Sequence, residues 1–297
     1  MHATRLRNLA GAAILLCAAA SGDGAEQPDR GLNLSWDANY LTVRGNFSGG
    51  TLKIHYLEAY CRPGSTDRDW AETVIGHKTE LLGSDRGGKR LRLRDRLRDG
   101  VVVDHEITAT SDAVEFELVA TNPTERHSNA HWAQPCIRVE DFTGCPADDR
   151  LELVPAYARK CFVFLDGQLS RLPTQPWAEE ARYTPGQVYC PEDVDRNDVN
   201  PRPLSSRVPS NGLMGCFSRD ESQILAIAWQ PYQELFLGVI TCIHSDFRIA
   251  GLAPGQSKKI RGKLYLVDAD VAALVRRYRR DFPEHNQRDL RAGESQH

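Results

Sequence analysis

Apolar and polar residues alternate with a period of two along much of the chain, and this alternation predicts β-strands. Around Leu91 and Leu93 the leucines alternate with arginines, so one face of the strand is apolar and the other is charged. Residues 101–110 and 114–121 alternate in the same way on either side of residues 111–112, Ser-Asp. This arrangement predicts a β-hairpin.

Further strands are predicted by short apolar runs, many of them separated by Gly-Gly or Pro-Gly. These runs lie at residues 32–36, 41–43, 52–56, 161–165, 224–229, 235–243 and 258–267. The pattern is typical of an all-β fold with long antiparallel sheets.

Near the C terminus the period changes to that of a helix. Asp268 is predicted to cap this helix, and Pro283 to end it. One apolar face is formed by Val271, Leu274, Val275, Tyr278 and Phe282. We therefore expect a short C-terminal α-helix packed on the edge of the β-fold.

Residues 171–213 show no clear period and are rich in Pro, Asp, Asn, Ser and Arg. A loop of this length is uncommon in a compact domain and is often functional. Two interpretations of this segment remain open. It forms a wall of a ligand groove, or it is a loop exposed to solvent. Residues 193–198 carry several carboxylates but lack the Gly and terminal Glu of a calcium loop, which favours a solvated turn.

The N terminus is typical of an export signal. Arg5 and Arg7 precede an apolar run at residues 9–20 that is too short to span a membrane. Cys17 lies in this run, but Leu16 stands where a lipoprotein signal has a small residue, which argues against lipid anchoring. We expect a secreted or periplasmic protein without a membrane span.

The chain of 297 residues is therefore predicted to have three parts. These are a signal peptide at 1–25, a single domain at 26–285 and a disordered tail at 286–297. The hydrophobic content of 41% is sufficient for a core. The formal net charge of -3, with both signs interspersed, gives no indication of a nucleic-acid partner.

Cys17 apart, seven of the 8 cysteines remain, which is an odd number. Because an exported chain permits disulfides, spacing makes Cys136–Cys145 and Cys161–Cys190 candidate bridges. At least half of these cysteines are interpreted as small buried apolar residues. The chain has no CxxC, HExxH or His-x-His motif, so neither a metal site nor a cofactor is predicted.

Polar and aromatic residues crowd together after the strand at 114–121. They are His127, Asn129, His131, Trp132 and Gln134. Amide and imidazole groups form hydrogen bonds with hydroxyls, and an aromatic face covers the apolar side of a sugar ring. The segment therefore predicts a carbohydrate site, with a mono- or polysaccharide as partner.

The run at 118–135, LVATNPTERHSNAHWAQP, resembles the central strands of the galactose mutarotase-like β-supersandwich. In that family a strand ending in Thr-Asn leads through a turn to an Asn- and His-containing strand, here Asn-Ala-His-Trp at 129–132. Residues 243–246, 252–256 and 260–267 resemble the closing strands of the same fold, including its L-x-P-G turn. The resemblance implies one antiparallel β-supersandwich.

Aldose epimerases of this family open the sugar ring with a His as general acid and a Glu as general base. His131 matches a substrate-contacting His of the family. The catalytic Glu is absent, because Thr-Cys-Ile-His stands at 241–244, and Glu234 is the nearest acid upstream. The case for catalysis is therefore made from the local residues. Histidines titrate near neutrality, so His131 and His244 are predicted to form an acid/base pair if their strands are adjacent, with Glu234 or Asp246 orienting it. His131, His244 and Glu234 are thus the predicted catalytic residues.

Substrate contacts are predicted for five residues: Asn129, Trp132, Gln134, Arg138 and Tyr232. Lyases of uronic-acid sugars in related folds use His and Tyr, and Arg or Asn neutralises the carboxylate. Asn129, Arg138, Tyr232 and His244 match that set. Trp229, Tyr232 and Phe236 are interpreted either as a stacking platform or as core, with Tyr232 expected to be the exposed one because it follows a proline.

Three functional hypotheses remain open. The first is an enzyme that acts on a sugar by proton transfer, either an epimerase or a polysaccharide lyase. The second is a non-catalytic glycan-binding module, and the third is a structural envelope protein.

Overall fold

A computed structural model describes residues 31–64, 68–146, 154–176 and 187–285. The predicted signal peptide, Cys17 and the predicted C-terminal tail lie outside these residues. In chain order the strands are β1 (Asn33–Asp37), β2 (Tyr40–Arg44), β3 (Thr51–Cys61), β4 (Val74–Ile75), β5 (His77–Ser84), β6 (Arg90–Leu97), β7 (Val102–Ala109), β8 (Ala113–Thr121), β9 (Trp132–Arg138), β10 (Cys161–Leu165), β11 (Gln168–Arg171), β12 (Met214–Phe217), β13 (Gln223–Gln230), β14 (Tyr232–Leu237), β15 (Cys242–Arg248) and β16 (Ser257–Asp268). The α-helices are α1 (Trp70–Thr73), α2 (Glu140–Thr143) and α3 (Val271–Asp281).

The strands form two antiparallel sheets. The seven-stranded sheet has the order β1-β2-β3-β9-β15-β14, with β4 also paired to β3. The nine-stranded sheet has the order β11-β10-β12-β13-β16-β8-β7-β6-β5. Strands far apart in the sequence, such as β3, β9 and β15, are therefore neighbours in one sheet.

The two sheets pack face to face around a continuous apolar core. Period-two alternation turns Ile54 and Ile137 inward from the first sheet, and Ile107 and Leu264 inward from the second. The predicted all-β antiparallel fold is confirmed, as is the hairpin formed by β7 and β8. No helix in the described part of the chain is long and apolar enough to cross a membrane.

Residues 235–243 do not form the single strand that the sequence predicts. Strand β14 ends at Leu237, and β15 begins at Cys242 after a turn. Gly238 makes this turn possible, because a Cβ there would lie 2.3 Å from the Cys242 Sγ. The hydroxyl of Tyr157 donates a hydrogen bond of 2.8 Å to the carbonyl oxygen of Gly238 and stabilises the turn.

The C-terminal helix differs from the prediction in its cap and its position. Asp270, not Asp268, caps it, since its carboxylate accepts a hydrogen bond of 2.9 Å from the Ala273 N–H. The predicted apolar face is confirmed, because Leu274 and Tyr278 are buried in a second apolar cluster. That cluster lies on the outer face of β10, β12, β13 and β16, so the helix covers a face of the sheet and not its edge.

Gly262 is expected to tolerate no side chain. It lies opposite Trp229 in the pairing of β13 with β16, and a Cβ at this position would approach the Trp229 Cε3 to 2.3 Å. Because Trp229 is fully buried between Phe116 and Phe247, it has no space to move away. Gly262→Ala should therefore lower the free energy of unfolding by about 2–3 kcal/mol in urea denaturation.

The matched control is Gly87→Ala. A Cβ at Gly87 would contact only the flexible side chain of Lys89 at 3.7 Å. This variant should unfold at the same urea concentration as the wild type. Equal stability of both glycine variants would contradict the close packing inferred at Trp229.

Candidate functional site

A pocket lies on the outer face of the seven-stranded sheet, on the side opposite the apolar core. It encloses an empty volume of about 590 Å³, which includes its open mouth. Its lining residues are Glu58, Trp70, Gln134, Cys136, Arg138, Asn200, Pro201, Phe236, Gly238, Val239, Ile240, Cys242 and His244. Hydrogen-bonding groups and aromatic rings thus share one concavity.

The floor of the pocket follows from strand alternation. Gln134, Cys136 and Arg138 occupy every second position of β9, so they point to the outer face while Ile137 points into the core. The Gln134 Nε2 donates a hydrogen bond of 3.2 Å to the Glu58 carboxylate. The Arg138 guanidinium forms no hydrogen bond or ion pair with the residues that the structure describes.

His244 is fully buried at the base of the pocket. It lies opposite Cys136 on β9, and its ring stacks on Phe236 with centroids 4.4 Å apart. Its Nε2 lies 3.4 Å from the Cys242 Sγ, and its Nδ1 lies 3.7 Å from the Asp246 Oδ1. Burial opposes the charged imidazole, but Cys136 and Asp246 favour it and raise the pKa of His244 to about 10.

Two buried carboxyl groups lie behind His244. Glu234 and Asp246 are both fully buried. Burial and the neighbouring Asp246 raise the pKa of Glu234 well above its usual value. Burial also raises the pKa of Asp246 to about 6, although His244 opposes this shift. Burial thus favours the protonated form of both acids relative to carboxyls in water.

The segment at 187–213 covers the outer face of the sheet and is not a solvated excursion. Val188, Cys190, Val194 and Val199 pack with Phe236 in a buried apolar cluster. Asn200 and Pro201 of the same segment line the pocket. This part of the chain therefore forms one wall of the pocket.

Asp198 anchors this segment, which corrects the expectation of a solvated turn at 193–198. Its carboxylate accepts a hydrogen bond of 2.8 Å from the Gly64 N–H and lies 3.2 Å from the Arg248 guanidinium. Burial alone would raise the pKa of Asp198, but Gly64 and Arg248 hold it below its usual value. The carbonyl oxygen of Asp198 accepts a hydrogen bond of 3.1 Å from the Trp132 indole N–H.

The structure does not bring the two predicted catalytic histidines together. His131 precedes β9 and lies 3.4 Å from Asp198, whereas His244 faces Cys136, five residues further along, roughly 16 Å away. Burial lowers the pKa of His131, although Asp198 opposes this shift. The predicted acid/base pair is therefore not formed.

The other predicted residues divide between the pocket and its surroundings. Gln134, Arg138 and His244 line the pocket, while Glu234 lies behind it. Asn129 is exposed outside the pocket lining, and Trp132 is fully buried beside Trp70. Tyr232, expected to be exposed, is only 4% exposed and contacts His285, so that expectation is wrong.

The predicted disulfides are not formed. All seven cysteines in the described residues have free thiols, and six are buried, as expected for small apolar residues. Cys161 lies opposite Cys216 on β12, away from its predicted partner Cys190. Cys136 lies instead beside Cys242 and His244, since their ligand atoms are all within 4.8 Å of one another.

Several pocket residues were not predicted from the sequence, among them Glu58, Trp70, Cys136 and Cys242. The signal for Cys242 was present, because a Cys-x-His sequence on a strand places both side chains on one face. Glu58 carried no such signal. A bulge between His55 and Ala59 changes the register there and turns Glu58 to the outer face.

Comparisons with known proteins find similarity to solved structures. No protein-family model matches the chain, and no curated protein sequence matches it. The chain is similar to a solved galactose mutarotase-like protein from Lactobacillus casei, with 9% identity, a TM-score of 0.41 and coverage of 80% of this chain and 100% of that one. It is also similar to a galactose mutarotase-like protein from Clostridium acetobutylicum, with 10% identity, a TM-score of 0.39 and coverage of 79% and 94%.

Proposed function

We propose that the pocket on the outer face of the seven-stranded sheet binds a carbohydrate that carries a carboxylate, such as a uronic-acid sugar. The observation that carries this proposal is the Arg138 guanidinium, which faces the pocket without a carboxylate partner among the described residues. A guanidinium recognises a carboxylate through two parallel hydrogen bonds. Arg138 would hold the acidic group of the sugar.

The remaining lining fits the rest of a sugar. Gln134 and Glu58 offer an amide and a carboxylate at one side, and these groups form hydrogen bonds with hydroxyls. The half-buried Trp70 supplies an aromatic surface for the apolar face of a ring. A concavity with apolar walls and a few convergent polar groups is typical of small-molecule sites.

The test is isothermal titration calorimetry of the purified full chain with matched pairs of acidic and neutral sugars, such as oligogalacturonate and its neutral counterpart. The acidic member should bind, and the neutral member should bind at least tenfold more weakly. Arg138→Gln should weaken binding of the acidic sugar by about 10- to 100-fold, since a hydrogen bond to a charged group contributes about 1.5–3 kcal/mol.

The control is Arg92→Gln, which removes an exposed guanidinium on the other sheet. This variant should bind the acidic sugar like the wild type. Absence of binding to every saccharide would contradict the carbohydrate proposal, and equal binding of both members of a pair would contradict the carboxylate preference. Ultraviolet absorption of unsaturated uronates in the same samples would indicate lyase activity.

A further inference from the structure

Three groups able to bind a metal converge at the base of the pocket. They are the thiols of Cys136 and Cys242 and the imidazole of His244, all buried. Every pair of their ligand atoms lies within 4.8 Å, and the Cys242 Sγ lies 3.4 Å from the His244 Nε2. The three residues come from two adjacent strands and point to the same face of the sheet.

This spacing is close to that of a tetrahedral zinc site. With Zn–S of about 2.3 Å and Zn–N of about 2.0–2.1 Å, ligand atoms in such a site lie about 3.5–3.8 Å apart. The 3.4 Å separation between the Cys242 Sγ and the His244 Nε2 is close to this range, and the remaining pairs of ligand atoms lie within 4.8 Å of each other. Since all three residues line the pocket, a fourth position would open toward it.

The surroundings of His244 favour a metal over a cluster of inert thiols. Asp246 lies 3.7 Å from the His244 Nδ1, the nitrogen that faces away from Cys242. A carboxylate at the far nitrogen is the usual partner of a zinc-binding histidine, because it fixes the ring and its tautomer. Two thiolates also balance the charge of Zn²⁺, so the buried site would carry no net charge at its ligands.

We propose that Cys136, Cys242 and His244 bind a zinc ion at the base of the pocket. Binding displaces the protons of both thiols and the proton on the His244 Nε2, because only the neutral imidazole binds a metal, and neither sulfur changes oxidation state. This inference goes beyond the proposed function and does not depend on it. It also departs from the sequence-based expectation of no metal site, which rested on the absence of local motifs.

The first experiment uses the full chain purified under reducing conditions, incubated with ZnCl₂ and dialysed against metal-free buffer. Elemental analysis should find one zinc ion per chain. Replacement by Co²⁺ should give the visible bands of tetrahedral cobalt and a near-ultraviolet thiolate charge-transfer band. Bound zinc should also protect two thiols from a thiol reagent.

Variants locate the site. Cys242→Ser and His244→Ala should lose stoichiometric zinc, and Asp246→Asn should weaken zinc binding about 10- to 100-fold. The matched control is Cys216→Ala, which removes a buried thiol from the other sheet and should keep one zinc ion per chain. Circular dichroism checks folding. If a ligand variant fails to fold, the cobalt spectrum and thiol protection of the wild type decide the question.

Three results would overturn the proposal. The first is a wild-type chain with reduced thiols that retains no zinc and shows no thiolate–cobalt band. The second is a disulfide between Cys136 and Cys242 in the chain purified without reductant that reforms in the presence of zinc. The third is zinc retained equally by the two ligand variants and by the Cys216 control.

Discussion

Replacing Trp132 with alanine should lower the free energy of unfolding by about 3–5 kcal/mol, because it removes a large fully buried ring. The indole packs against Ala59 and Cys61 and against the partly buried Trp70. Its N–H also holds the carbonyl of Asp198 at 3.1 Å. Urea denaturation followed by circular dichroism measures the loss.

Trp132→Phe separates the two contributions. Phenylalanine keeps most of the packing but leaves the Asp198 carbonyl without its donor, so the cost should fall to about 1–3 kcal/mol. Both variants should speed amide hydrogen exchange at residues 194–200, since the indole anchors this part of the pocket wall. A loss below 1 kcal/mol for Trp132→Ala would show that the ring is not packed as described.

The sequence predicts strands well where only one face is buried. In β6 the leucines at 91, 93 and 97 face the core and the arginines face solvent, so the sequence itself shows the period of two. β9 is different, because six of its seven residues are buried. The core covers one face of β9 and the segment at 187–213 covers the other. Both faces are buried, so the strand lacks the alternation of apolar and polar residues that predicts a strand.

Only some of the pocket residues could be predicted from the sequence, because the others depend on contacts between distant segments. Gln134, Arg138 and His244 were predicted as site residues. Gln134 and His244 lie in segments with a family resemblance, and Arg138 matches the residue that neutralises the carboxylate in uronic-acid lyases. Asp198 was not, because its partners Gly64 and Arg248 are far away in the sequence. Glu58 follows a bulge that changes the face of the strand, and no local pattern marks such a bulge.

Asp95, in the core, also forms contacts that the local sequence does not predict. It occupies an inward position of β6, where the alternation predicts an apolar residue, and it is 1% exposed. Its Oδ2 accepts a hydrogen bond of 2.5 Å from the Tyr60 hydroxyl and lies 3.1 Å from the His105 Nε2. The Tyr56 hydroxyl contacts the other nitrogen of that imidazole at 2.9 Å. Only the fold brings these four groups together.

Asp95→Asn should cost about 3–5 kcal/mol at pH 7, because the Tyr60 hydroxyl and the His105 Nε2 each lose a buried charged acceptor, and a hydrogen bond to a charged group contributes about 1.5–3 kcal/mol. The control is Asp104→Asn on the adjacent strand β7. Its carboxylate is 47% exposed beside Arg94, and loss of an exposed pair costs at most about 1 kcal/mol. Chemical denaturation of both variants at pH 7 makes the comparison.

The cost of Asp95→Asn should also depend on pH. Burial alone would raise the pKa of Asp95, but His105, Thr79 and Tyr60 together hold it below its usual value of 3.8, and His77 adds to this attraction when it is protonated. A carboxyl whose pKa is depressed by folding stabilises the protein above 3.8 and loses that contribution as the pH falls through its folded value. The Asp95 carboxyl stays ionised from pH 7 to 5, so its contribution to the stability difference between wild type and Asp95→Asn should be constant there. Below pH 3.8 this difference should shrink. A difference that grew on acidification would mean that Asp95 is protonated in the native protein and that the network stabilises the neutral acid.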